Sequence, residues 1–332
     1  MATYHFNMSQ KGAGNSGAVI AGAYRHGAKM KNELTGVTKD YSDKDEVVHT
    51  EISLPDDAPD WAKQEFAALI GDSPEARVDT ARVSEKLWNA VELANTRLNR
   101  RPDKAPRFAL SLEMSLPVEL SREENIALTR DFVAKHITGK GMIADWVYHD
   151  LPDNPHVHLL GTVRELSDEG WGAIQREWNG PSFVRELRFA WAQEVNIGYE
   201  LAGLDVRVDH RSFKDQGIEL KVDTYATHVA GSAEANGEVA RNKARAAEAR
   251  AYNEAYLKEK PEHILVVLGA RQTVFTEGNI RMALMERMSG GTDDLEAQMA
   301  RVMASRELVQ LDTLTPHGEV QYTTRARVTL ET

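Results

Sequence analysis

The chain has 332 residues, 42% of them hydrophobic and 27% charged, with a formal net charge of −11 and no cysteine. Length and composition fit a globular protein of about two domains. The missing cysteines exclude disulfides and thiolate metal sites, and the negative charge argues against a protein that coats polyanions over its whole surface through lysine and arginine, without excluding a local site.

No apolar run approaches the roughly 18 residues of a membrane span. The polar start, MATYHFNMSQKG, lacks the features of a secretory signal. A cytoplasmic protein without membrane insertion is therefore expected. In chain order, ATYHFNMS alternates as a strand does, QKGAGNSG reads as a loop, and AVIAGAYRHGAKM as a small-residue helix carrying Tyr24. DWAKQEFAALI and EARVDTARVSEKLWNAVELANTRLN show helical apolar spacing. Basic residues then gather in NTRLNRRPDKAPRF (Arg97, Arg100, Arg101, Lys104, Arg107), a pattern that serves a nucleic-acid patch and a solvated helix end equally well.

RFALSLEMSLP places Phe108, Leu110, Leu112, Met114 and Leu116 on one face of a strand and Ser111, Glu113 and Ser115 on the other. SREENIALTRDFVAKHI opens with Ser121 and, three residues on, Glu124, the signature of a capping box. MIADWVYH and HVHLLGTV read as strands around a six-residue turn, followed by the helix PSFVRELRFAWAQEVNIGYELAG. Helices mixed with a central hairpin predict an α+β sandwich rather than a doubly wound sheet. Beyond VDHRSFKDQGIEL, the segment EANGEVARNKARAAEARAYNEAYLKEK suits an exposed connecting helix. From His263 the order is helix, helix, helix and two short strands, that of a small winged-helix unit. The expected domains are 1–220, a helical linker 221–262, and 263–332.

Three of the eleven histidines fall within YHDLPDNPHVHLLG. Side chains two apart on a strand share a face, so His156 and His158 point together, as do Asp145 and His149 on the preceding strand. If DLPDNP closes an antiparallel hairpin, His149 lies opposite His156 and Val147 opposite His158, and all three imidazoles converge. Three neutral imidazoles without a thiolate suit Mn²⁺, Zn²⁺, Ni²⁺ or Co²⁺, and Mg²⁺ when phosphate and water complete the shell. A histidine-triad nucleotidyl hydrolase is disfavoured because the third alternating position is Leu160, and no GxxxxGK[ST] phosphate-binding loop is present.

NPHVHLL with a histidine seven positions upstream, the N-terminal YHF strand and AYR in the first helix resemble the MobA/MobL (MobQ-type) conjugative relaxases of the HUH endonuclease superfamily. DYSDKDEVVHTEISLP, LWNAVE, EMSLPVELS, GMIADWVYHD and VDHRSFKDQGIEL are similar to TraA-type members. The tail, with TVFTEGNIRMAL and RVMASRELVQL, resembles the segment preceding the helicase motor of TraA-like relaxase-helicases, and the resemblance implies a fragment ending before that motor.

The resemblance implies a five-stranded antiparallel sheet with flanking helices. It also implies a divalent metal ion, Mg²⁺ or Mn²⁺ foremost, at His149, His156 and His158. It implies Tyr24 as the nucleophile that nicks single-stranded origin-of-transfer DNA, giving a 5′-phosphotyrosine and a free 3′-OH. Glu113 and Asp145 are candidates to orient a ligand imidazole or accept the tyrosine proton. Arg25, Arg101, Arg107 and Arg211 are candidate DNA contacts, Arg25 also as an activator of the tyrosine and Arg211 equally as an ion-pair partner of Asp209. His5 and His26 are weaker candidates for the cleft. Implied partners are relaxosome accessory proteins and a type IV secretion coupling protein, with translocation alongside the DNA strand. Two other readings are a rolling-circle replication initiator with the same chemistry and a non-catalytic metal-clamped DNA adaptor. ELKVDTYATHVAG departs from the family in having His228 but no nearby proline.

Overall fold

The computed structural model describes residues 4–13, 17–99, 101, 103–152, 154–222, 233–288 and 292–331; Arg100 and His228 lie outside them. The chain divides into two compact units, Met1–Ala202 and Gly203–Thr332.

In chain order the first unit comprises β1 (Phe6–Gly12), α1 (Gly17–His26), β2 (Met30–Lys31), β3 (Thr38–Lys39), β4 (Val47–Ser53), α2 (Asp60–Glu65) and β5 (Leu69–Gly71). It continues through α3 (Pro74–Arg97), β6 (Arg107–Ser115), α4 (Arg122–His136), β7 (Ala144–His149), β8 (His156–Thr162), β9 (Arg164–Ser167), β10 (Gly170–Ile174) and α5 (Pro181–Leu201). Six strands form an antiparallel sheet in the order β1-β6-β8-β7-β4-β5. The mixed α+β fold is as expected, with one strand more than the five foreseen. The extra strand comes from DWAKQEFAALI, read as one helix. That helix stops at Glu65, and Leu69–Gly71 pairs with Thr50–Ile52 at the sheet edge, where ladder hydrogen bonds override helical spacing.

Residues of alternating parity give the sheet two apolar faces. On one, α1 and α3 pack a core that includes Val19, Ala23, Leu87, Trp88, Val91 and Leu160. On the other, α4 sends Arg130 to Glu51 of β4, and the buried rings of Phe132 in α4 and Trp191 in α5 meet edge to face, centroids 5.1 Å apart. The cap of α4 forms as its sequence foretells: the Ser121 hydroxyl accepts from the Glu124 amide, and the Glu124 carboxylate accepts from the Ser121 amide. Helix α1 ends at His26, short of its expected reach, because Gly27 turns into the left-handed region at φ 55°.

The second unit comprises α6 (Ala233–Glu259), α7 (Ile264–Arg271), β11 (Phe275–Thr276), α8 (Glu277–Met285), α9 (Thr292–Met303), β12 (Leu308–Leu314), β13 (Val320–Thr324) and α10 (Arg325–Glu331). A three-stranded sheet, β11-β13-β12, closes against α7, α8 and α9 over a core of Leu265, Leu268, Phe275, Ile280, Leu284 and Val302. Ile218 and Leu220, grouped with the first domain by sequence, are buried in this second core. Among the described residues no helix is long and apolar enough to cross a membrane.

Candidate active site

The hairpin of β7 and β8 has the register that period-two alternation and a six-residue turn dictate: His149 faces His156, and Val147 faces His158. Directly opposed residues share a face, so the three imidazoles converge, with ring centroids 4.8–5.2 Å apart. One ring nitrogen from each lies within 4.8 Å of the others, and all three residues are buried.

Their hydrogen bonds fix which nitrogens are free. His149 Nε2 lies 2.6 Å from the backbone oxygen of Arg25, and His156 Nδ1 lies 2.8 Å from that of Asn154. A carbonyl oxygen only accepts, so both nitrogens carry the proton, and the lone pairs sit on His149 Nδ1 and His156 Nε2. His158 Nδ1 is buried with no hydrogen-bond partner. Burial pushes His149 down to about 3, opposed by its bond to Arg25 and reinforced by His156 and Lys44. Burial, Arg25 and the two neighbouring imidazoles hold His158 well below the usual histidine range. Three buried imidazoles with ring nitrogens turned toward one point, one of them orphaned, could hold a divalent cation such as Mn²⁺ or Zn²⁺.

Tyr24 stands beside this cluster, its ring centroid 6.2 Å from that of His158. The Lys44 ammonium sits 3.6 Å from the Tyr24 ring centroid and is paired with Glu46, and Tyr41 meets the ring edge-on at 5.4 Å.

The helix that carries Tyr24 is moored at both ends by buried acids from elsewhere. At its start, Glu92 of α3 accepts from the amides of Ala18 and Val19 at 2.6 and 3.0 Å, and from Asn32 at 2.8 Å. A carboxylate at this position satisfies orphan amides and complements the helix dipole. Gly17 makes room for it: a Cβ there would lie 2.6 Å from Glu92 Oε1, on a backbone at φ +73°. At the other end, Asp145 accepts from His26 Nε2, Ser84 Oγ and Trp88 Nε1 at 2.6–2.7 Å. Burial alone would raise Asp145, but His26, Ser84 and Trp88 hold it below the usual carboxylate range.

Asp145 shares the face of His149, yet no hydrogen bond joins it to the three histidines. Its expected role beside the ligands is thereby corrected: four residues along a strand span roughly 13 Å, and its two oxygens are taken by His26, Ser84 and Trp88. Glu113 is half-buried directly across from His158, and its negative charge faces Lys11 and Arg25.

The four arginines separate. Arg25 is 6% exposed and donates to Ala21 O and Ser111 Oγ, both at 2.8 Å. Its guanidinium is pushed down to about 10 by burial, against Asp145, Glu113 and Tyr24. A side chain so placed supports Tyr24 from beneath; the expected DNA contact is corrected, because the residue after Tyr24 on a helix points about 100° away, here onto the sheet. Arg101 and Arg107 are exposed, Arg101 pairing with Asp103. Arg211 belongs to the second unit and pairs with Asp209 at 2.6 Å. His26 is bound to Asp145, and His5 lies just before β1. Lys44, Ser111, Ser84, Trp88 and Glu92 were not foreseen as site residues, since each acts across a long stretch of chain, although Lys44 lies in DYSDKDEVVHTEISLP, Trp88 and Glu92 in LWNAVE, and Ser111 on the polar face of its strand.

A family model described as MobA/MobL matches residues 16–238. The whole chain aligns at 34% identity with a probable conjugal transfer protein TraA of Sinorhizobium fredii and at 35% with the conjugal transfer protein TraA of Agrobacterium fabrum. It covers 32% of each, so the chain spans about a third of the length of these relatives. A solved structure described as "Molecular Basis of Vancomycin Resistance Transfer in Staphylococcus aureus" superposes with a TM-score of 0.51 at 28% identity, over 64% of this chain and 100% of that one.

Proposed function

The chain belongs to the MobA/MobL family of conjugative relaxases, and from that premise we propose that it nicks one strand of origin-of-transfer DNA by tyrosine transesterification. The Tyr24 hydroxyl oxygen bonds to phosphorus as the bond to the 3′ oxygen breaks. The 3′ oxygen leaves with a proton, and the 5′ end stays on Tyr24 as a phosphotyrosine. The phosphodiester is exchanged rather than hydrolysed, so the same atoms run backwards to rejoin the strand.

His149, His156 and His158 would hold the divalent ion. When bound, it supplies Lewis-acid polarisation of the scissile phosphate. Arg25 and Lys44 place positive charge around Tyr24, where negative charge gathers as the phosphodiester is attacked. Glu113, half-buried and directly across from His158, is the acid assigned to take the phenol proton. Asp145 and Glu92 hold α1 so that the phenol meets the phosphorus in a fixed orientation. In the donor cytoplasm, the partners of this reading are origin DNA, relaxosome accessory proteins and a type IV secretion coupling protein.

The observation that carries the reading is the Tyr24 ring at 6.2 Å from His158, where three buried imidazoles meet. Labelled single strands tiled over the DNA flanking the gene, run on denaturing gels with Mg²⁺, Mn²⁺ or chelator, test it. One strand should yield a metal-dependent covalent adduct that Tyr24→Phe abolishes while leaving DNA binding intact. Adducts that persist in the Phe variant would remove Tyr24 as nucleophile.

A further inference from the structure

Helix α6 carries Tyr252 and Tyr256 four residues apart, hence on one helix face. Their rings are nearly parallel, 12° between planes and 6.1 Å between centroids. The Lys221 ammonium lies 4.4 Å from the Tyr252 centroid, and that of Lys260 lies 5.3 Å from the Tyr256 centroid.

The arrangement is held in place. Buried Asn253 accepts from the Lys221 amide and donates to the Lys221 carbonyl, both at 2.8 Å, which keeps Lys221 above its ring. The Tyr256 hydroxyl donates to the Glu219 carboxylate and accepts from His263 Nδ1 at 2.5 Å, which fixes its ring plane. Tyr252 is 40% exposed.

The same face continues towards the helix start through Arg245 and Arg241, seven and eleven residues before Tyr252. Both are exposed, and neither forms an ion pair among the described residues. From Arg241 to Lys260 the chain carries six basic residues against three acidic ones, although α6 as a whole, Ala233–Glu259, holds five of each. Glu248 reaches Lys221 only at 3.9 Å.

We propose that this face of the second unit binds single-stranded DNA without sequence preference, a base stacking on the exposed Tyr252, whose neighbour Tyr256 is packed against the core, and the phosphates meeting Lys221, Lys260, Arg245 and Arg241. Parallel aromatic rings flanked by cations are what unpaired bases require, since every base has a stacking face. A duplex hides its bases, and a membrane would call for apolar side chains where this face has cations. From Arg241 to Tyr256 the face runs roughly 22 Å along the helix, enough for a tract of about four nucleotides. The proposal rests on the nicking function only for the source of the strand, the one freed by cleavage.

The test uses the full chain and iododeoxyuridine-substituted oligothymidylate that carries no origin sequence, read by anisotropy and photocrosslinking. Crosslinks should fall on the peptide containing Tyr252 and Tyr256. Tyr252→Ala should weaken binding about tenfold, while Tyr252→Phe stays within about twofold. The Arg241→Gln/Arg245→Gln double variant should lower the slope of log affinity against log salt by about 1.4. Crosslinks confined to residues 1–202, or unchanged affinity in Tyr252→Ala, would overturn the proposal; a thermal melt verifies that the exposed substitution leaves the fold intact. Origin nicking is assayed in parallel: Tyr252→Ala should still nick, and Tyr24→Phe should still crosslink through α6. Failure of one reading therefore leaves the other standing.

Discussion

The first unit buries histidines on both faces of one sheet, and their surroundings differ. On the α1 face, His149 and His156 each bond a backbone carbonyl through one nitrogen and keep the other free, while His158 has a buried nitrogen with no hydrogen-bond partner. On the α4 face, His49 is also fully buried, but its Nδ1 meets Asp72 at 2.5 Å and its Nε2 meets Glu51 at 3.3 Å. Glu51 in turn holds Arg130 at 2.7 Å and Ser53 at 3.0 Å. Burial alone therefore does not make a histidine a ligand. An imidazole held by a carbonyl keeps a lone pair to offer; one held at both nitrogens by carboxylates is a strut.

Substitutions sharpen the contrast. The largest effect is expected for His158→Ala, which should lower divalent metal affinity at least a hundredfold by titration calorimetry and remove cleavage with it. His49→Gln should leave that affinity within about twofold; a comparable loss would break the distinction. His49→Gln should instead cost about 2–3 kcal/mol in chemical denaturation, because it leaves a buried network unpaired. Gly17→Ala should cost about 1–3 kcal/mol, from a left-handed backbone and the displaced Glu92, and should slow adduct formation more than metal binding.

The smallest effect concerns pH. Burial would raise Glu51, but its bonds from His49, Arg130 and Ser53 outweigh that and hold it below the usual range. A carboxyl with a depressed folded value binds fewer protons folded than unfolded. Its stabilisation is present above about pH 4.3 and is lost as pH falls further. Glu51→Gln should flatten the acid limb of the stability profile, while a profile unchanged from the parent chain would count against the network.

The hairpin was legible in advance because its rules are local. Alternation sets the face, turn length sets the register, and the registers His149 with His156 and Val147 with His158 follow. The capping box of α4 was readable for the same reason. Asp145 and Arg25 were misplaced because their partners, Ser84, Trp88 and Ser111, lie about sixty to ninety residues away and are chosen by packing. The strand β5 escaped because three residues carry no periodicity, and only pairing with β4 defines it.

The mooring of α1 bears on protein engineering. Its ten residues hold Tyr24, but the carboxylates that moor the helix arrive from Glu92 and Asp145. Transplanting that short segment into a host scaffold would carry the phenol and leave its alignment behind. A fragment meant to keep Tyr24 in its present orientation has to retain the whole span from Gly17 through the hairpin histidines as one continuous piece.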